Sequence, residues 1–100
     1  MKVNVQSVNF TADQKLIDFI QLRMDKLEHY YDKIVSGQVY LKVQNTSEKE
    51  NKVTEILLSI PGGDIMVKKT CKKFEECVDD CTSSLSRQLK KKKEKMKTHA

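Results

Sequence analysis

The sequence contains no tryptophan, a single proline, three glycines and three cysteines. No linker or internal repeat is visible, and 100 residues is the length of one domain. No stretch approaches the roughly 20 apolar residues that a membrane-spanning helix needs. The opening segment, MKVNVQSVNF, alternates polar and apolar residues where a signal peptide has a continuous apolar run. A cytoplasmic protein with no membrane partner is therefore expected. The cysteines at 71, 77 and 81 are odd in number, and the small chains that depend on disulfides are secreted, so reduced thiols are expected. With 38% hydrophobic residues the chain can enclose one modest core but not a deep substrate cavity as well, so no small-molecule substrate is expected.

The chain is rich in charge, and the charge is unevenly placed. The formal net charge is +5. Residues 87–97, RQLKKKKEKMK, hold seven basic residues against Glu94, whereas residues 1–86 hold 12 basic and 13 acidic residues. The whole excess sits in one short block near the C-terminus. Such a block attracts polyanions.

Periodicity places this block on a helix. Residues 2–10 read as a strand in which Val3 and Val5 alternate with polar residues. Val8 and Phe10 resume one step out of phase, which predicts a bulge or an exchange of faces. Thr11 is a candidate N-cap, with Gln14 three residues on. A helix to about Lys33 follows, its apolar face made by Leu16, Ile17, Ile20, Met24, Leu27 and Tyr31. Ser36 and Gly37 end it. Strands are expected over 38–44, 52–60 and 65–70, the last two joined by the turn Pro61-Gly62-Gly63-Asp64. A second helix from about Lys72 to Lys97 carries an apolar stripe of Phe74, Val78, Cys81, Leu85, Leu89 and Met96. It would be about 39 Å long, which exceeds a small sheet, so its basic end should project past the core. Lys92, standing where the stripe would continue, agrees with this. The order is β-α-β-β-β-α: an α+β, two-layer fold with both helices packed on one face of a four-stranded sheet.

The basic helix end is the main candidate site. Arg87, Lys90, Lys91, Lys95 and Lys97 spread over the side away from the stripe. That suits contact with several phosphates and carries no base-reading pattern. Glu75, Glu76, Asp79 and Asp80 open the helix and lysines close it, as the helix dipole favours, but the dipole asks for a few charges in the last turn and not for seven in three turns. On the first helix Asp18, Asp25, Glu28 and Asp32 form one flank. Lys15, Arg23, Lys26 and Lys33 form the other, with Phe19 and Tyr30 among them. Basic residues interleaved with aromatics can hold phosphates and stack on bases, and equally the two rings can simply widen the core stripe.

Catalytic constellations are lacking. Cys77 and Cys81 lie at or beside the apolar stripe with no histidine near in sequence, and read as buried small hydrophobes rather than metal ligands. Neither His29 nor His99 has a serine or cysteine placed to form a triad. The Gly62-Gly63 turn is followed by a strand, not a helix, which excludes a phosphate-binding loop. No enzyme activity, cofactor or metal is expected.

Several segments resemble the short ribosome hibernation-promoting factors, also called ribosome-associated translation inhibitors. They are KLEHYYDKI at 26–34, VYLKV at 39–43, GGDI at 62–65 and, most specifically, VDDCTSSLSRQLKKKKEK at 78–95. The resemblance covers nearly the whole chain. It implies a single ribosome-binding domain over 1–100, with a basic helical extension at about 87–97. It also implies binding to rRNA of the small subunit, in the channel that mRNA and tRNAs occupy, and silencing of translation by occupancy in stress or stationary phase. The family's basic surface maps onto Lys26, Arg87, Lys90, Lys91, Lys92 and Lys93; Arg23 and Lys95 join it from the helical wheel. Glu75, Glu76 and Cys77 stand where the family usually has a tyrosine and small residues, and Lys73 replaces a usual aspartate. The linker and second domain of the long forms are not expected, and the protein should be a monomer off the ribosome. Two further readings fit the same residues: a general structured-RNA-binding module or RNA chaperone, and a protein-interaction module that docks an acidic partner.

Overall fold

The computed structural model describes the backbone of residues 1–98 and the side chains of residues 1–94. The elements are β1 (Lys2–Val8), α1 (Gln14–Leu27), β2 (Ser36–Val43), β3 (Lys52–Ile60), β4 (Gly63–Cys71) and α2 (Phe74–Thr98). The sheet order is β1-β2-β3-β4, with β1 parallel to β2 and both later pairs antiparallel. Only the parallel pair needs a crossover, and α1 supplies it. The fold is the two-layer β-α-β-β-β-α arrangement expected, with a mixed sheet.

The inward face of the sheet carries Val39 and Leu41, then Ile56, Leu58 and Ile60, then Ile65 and Val67, all buried. Against them pack Leu16, Ile20, Met24 and Leu27 of α1 and Phe74, Val78, Cys81, Leu85 and Leu89 of α2. Among the described residues no helix is long and apolar enough to cross a membrane.

Several boundaries differ from the sequence expectation: β2 begins at Ser36, and β4 extends to Gly63 and Cys71, so the turn contracts to Pro61-Gly62. Three further differences have a visible physical cause. Strand β1 stays in register with β2 from Lys2 to Val8 with no bulge. It ends at Val8, and the next residue, Asn9, with a φ of 70°, turns the chain so that Phe10 returns to the core and stacks on Phe74, ring centroids 4.8 Å apart. That reversal, and not a bulge, explains the change of phase. Helix α1 is capped by Asp13, not Thr11: its carboxylate accepts the Leu16 N–H at 2.8 Å. A carboxylate at that end is favoured both as acceptor and by the helix dipole. The same helix stops at Leu27, six residues short of Lys33. There the Tyr30 and Tyr31 N–H groups both donate to the Leu27 carbonyl, at 3.0 and 3.2 Å, and the tightened turn still delivers Tyr31 and Ile34 to the core.

Gly37 belongs to β2, although it reads as a helix breaker. A Cβ there would lie 2.5 Å from Met24 Cε, so the missing side chain is what lets α1 approach the sheet. At 25 residues α2 is about 37 Å long, against about 30 Å for the nine-residue strands. Its last buried residue within the described side chains is Leu89, and the lysine cluster begins one residue later.

Candidate nucleic-acid interface

The two helices lie side by side, and their facing flanks bring together residues some 60 positions apart in sequence. A shallow cleft of about 120 Å³ opens between them, lined by Arg23, Lys26 and Tyr30 from α1 and its closing turn and by Thr82, Ser83 and Ser86 from α2. Lys90 continues the α2 wall, one turn beyond Ser86. Its ammonium stands 4.6 Å from the centre of the Tyr30 ring. Spacing explains the wall: residues 79, 82, 83, 86 and 90 recur at three- and four-residue steps and so share one flank of α2.

The basic residues fall into two groups. Arg23, Lys26 and Lys90 converge on the cleft. Arg87, Lys91 and Lys93 are exposed, and Lys92 is half-buried, as expected of a lysine that continues the apolar stripe past the sheet. The side chain of Lys95, also expected in the site, lies outside the described residues, as does that of Met96.

Arg23 is already engaged. Its Nε donates to Asp79 Oδ1 at 2.8 Å, and its guanidinium carbon lies 5.0 Å from the centre of the Phe19 ring. The charge of Arg23 is thus partly offset within the protein, whereas Lys26 and Lys90 bring positive charge to the cleft. This pairing was not visible in the sequence, where Asp79 reads only as a helix-opening acid. The hydroxyls of Ser83 and Ser86 were missed as well. Only the three-residue step from Ser83 to Ser86 and the four-residue step from Ser86 to Lys90 pointed to them.

The three cysteines are buried and free. Burial, reinforced by the neighbouring Cys77 and by the Asp80 and Glu76 carboxylates, pushes the Cys71 thiol up to about 12. Burial likewise raises Cys81 to about 12 and also raises Cys77. Cys71 Sγ, Glu76 and Asp80 present ligand atoms within 4.8 Å of one another. With its pKa so high, the thiol stays protonated at neutral pH and donates to Asp80 at 3.9 Å.

The chain resembles known proteins over nearly its whole length. The model of the family described as sigma 54 modulation protein / S30EA ribosomal protein matches residues 3–97. The chain belongs to this family. It is 32% identical over 98 residues to the ribosome hibernation promoting factor of Pseudomonas putida, covering 98% of this chain and 92% of that one. With the ribosome hibernation promoting factor of Escherichia coli it shares 31% identity over 99 residues, covering 99% of this chain and all of the relative. The family is one of ribosome hibernation factors and not of enzymes. Solved structures share the fold. The N-terminal domain of Thermus thermophilus Protein Y superposes with a TM-score of 0.79 at 20% identity, covering 91% of this chain and 98% of that one. A ribosomal subunit interface protein from Coxiella burnetii gives 0.82 at 17% identity, covering 93% and 98%.

Proposed function

We propose that this protein silences translation by binding the small ribosomal subunit through rRNA phosphates, in the channel that mRNA and tRNAs use. It acts in the cytoplasm by occupancy, without chemistry. The observation that carries this reading is the arrangement of cations. Lys26 and Lys90 flank the cleft between the helices, and Arg87, Lys91 and Lys93 are exposed on the part of α2 where its buried stripe ends. A positive ridge along a helix matches a phosphate backbone followed over several nucleotides. The full-length likeness to ribosome hibernation promoting factors supports the same partner.

The test is sedimentation of the purified protein with ribosomes through sucrose gradients at low and high salt, using the parent and a variant with Lys90, Lys91, Lys92 and Lys93 replaced by glutamine. The parent should travel with small subunits and whole ribosomes at low salt and be released at high salt. The apparent affinity should fall with a log–log slope of about −0.7 per phosphate neutralised, the single-strand value. The folded variant should remain at the top of the gradient. Equal co-migration of the variant would refute the site. Loss of ribosome binding to competing free duplex RNA would favour a general RNA-binding module, and association that survives nuclease would favour an acidic protein partner.

A further inference from the structure

Tyr30 and Tyr31 are adjacent in sequence and differ in fate. Tyr31 is 6% exposed and belongs to the core, whereas Tyr30 is 37% exposed and lines the cleft. The Tyr30 backbone is held by its N–H bond to Leu27 in the turn that closes α1, so the ring stands on a fixed support. The group over its face is the Lys90 ammonium, at 4.6 Å, on a flexible four-carbon stem. The other cation–π contact of this surface is built differently: the guanidinium over Phe19 is tied to Asp79.

We propose that Tyr30 is a stacking platform for one unpaired nucleotide of the bound RNA. Lys90 covers the ring in the free protein and moves to that nucleotide's phosphate on binding. The inference rests on the rRNA reading above and adds to it a contact that recognises a base face. An exposed lysine–tyrosine contact is weaker than a base stacked on an aromatic ring, so the exchange is favourable, and the displaced ammonium gains a phosphate in place of the ring face. A base within a duplex is already stacked on both faces and cannot enter, so the ligand is a single-stranded or extruded nucleotide. Ser86 Oγ donates to the Ser83 carbonyl at 2.9 Å and keeps lone pairs on the same cleft, where it can accept from a ribose 2′-hydroxyl.

The experiment measures binding to purified small subunits, over a range of salt, by the parent and by Tyr30→Phe, Tyr30→Leu and Lys90→Gln. Phenylalanine keeps the ring; leucine keeps apolar bulk without it. Tyr30→Phe should bind like the parent. Tyr30→Leu should bind roughly 10-fold more weakly or worse at every salt concentration, with an unchanged salt slope. Lys90→Gln should weaken binding and reduce the slope by about 0.7. Parent affinity in Tyr30→Leu, or equal losses in the two Tyr30 variants, would overturn the platform while a weakened Lys90→Gln left the rRNA reading standing. Parent affinity in Lys90→Gln and in the quadruple glutamine variant would bring down both. Should Tyr30→Leu not fold, the parent alone still decides. At saturation it should quench 2-aminopurine in a single-stranded decaribonucleotide and leave it unchanged in a perfect duplex. No quenching in the single strand would overturn the proposal.

Discussion

Arg23 on α1 and Asp79 on α2 are joined by a 2.8 Å contact across the mouth of the cleft, so the one arginine of the first helix is held in place by an acid of the second. Both side chains are more than one-third exposed, and an exposed pair of this kind contributes under about 1 kcal/mol to stability. Asp79→Asn should therefore lower stability only slightly in a urea titration. Removing a negative charge beside the basic surface should raise ribosome affinity several-fold at low salt, and the gain should vanish at high salt. A lower affinity would instead show that the pair holds Arg23 in its binding position.

Gly37→Ala tests the contact between α1 and the sheet. The added methyl would sit 2.5 Å from Met24 Cε and 3.4 Å from Met1 Sδ. Met24 is fully buried but unbranched, and can move in part. A destabilisation of roughly 1–3 kcal/mol, the usual result of overpacking, is expected in chemical denaturation. A neutral or stabilising outcome would show that the contact yields freely.

The end of the core along α2 is equally testable. Leu89 is fully buried, so Leu89→Ala should cost about 2–5 kcal/mol. Lys92 lies close to the direction of Leu85, seven residues back on the same buried stripe, but is half-buried, and Lys92→Gln should change stability by less than about 0.5 kcal/mol. Similar costs at both positions would mean that the packed layer extends further than Leu89.

The buried thiols predict a loss of stability in alkali. Cys71 and Cys81 have folded-state pKa values of about 12 against an ordinary 9.0, raised chiefly by burial. Below pH 9 both are protonated in the folded and unfolded states. Between 9 and 12 the unfolded chain releases their protons while the folded one keeps them. Stability should therefore be complete below pH 9 and fall as pH rises through that window, by up to about 1.4 kcal/mol per pH unit for each thiol. Cys81→Ala should flatten the fall in pH-dependent urea titrations. In the folded protein the thiols should also react slowly with a disulfide reagent at pH 8 and rapidly once urea is added.

Much of this protein was determined by local sequence. The alternations Val39-Leu41 and Ile56-Leu58-Ile60, the Pro61-Gly62 turn and the stripe from Phe74 to Leu89 specify element type and order, because a buried face must repeat at the period of its element. The placement of the positive charge on a helix end followed from composition and the same period. The element ends were less legible. Asp13 took the cap from Thr11, and Asn9 reversed the chain, because those choices depend on where Phe10 meets Phe74. Gly37 reads as a breaker until Met24 is seen against it. The cleft was the least legible feature. Which flank of α1 faces which flank of α2 depends on how two amphipathic helices sit on a shared sheet, and sequence spacing within either helix carries no information about that. The meeting of Arg23 with Asp79 and of Tyr30 with Lys90 is therefore a product of tertiary packing alone.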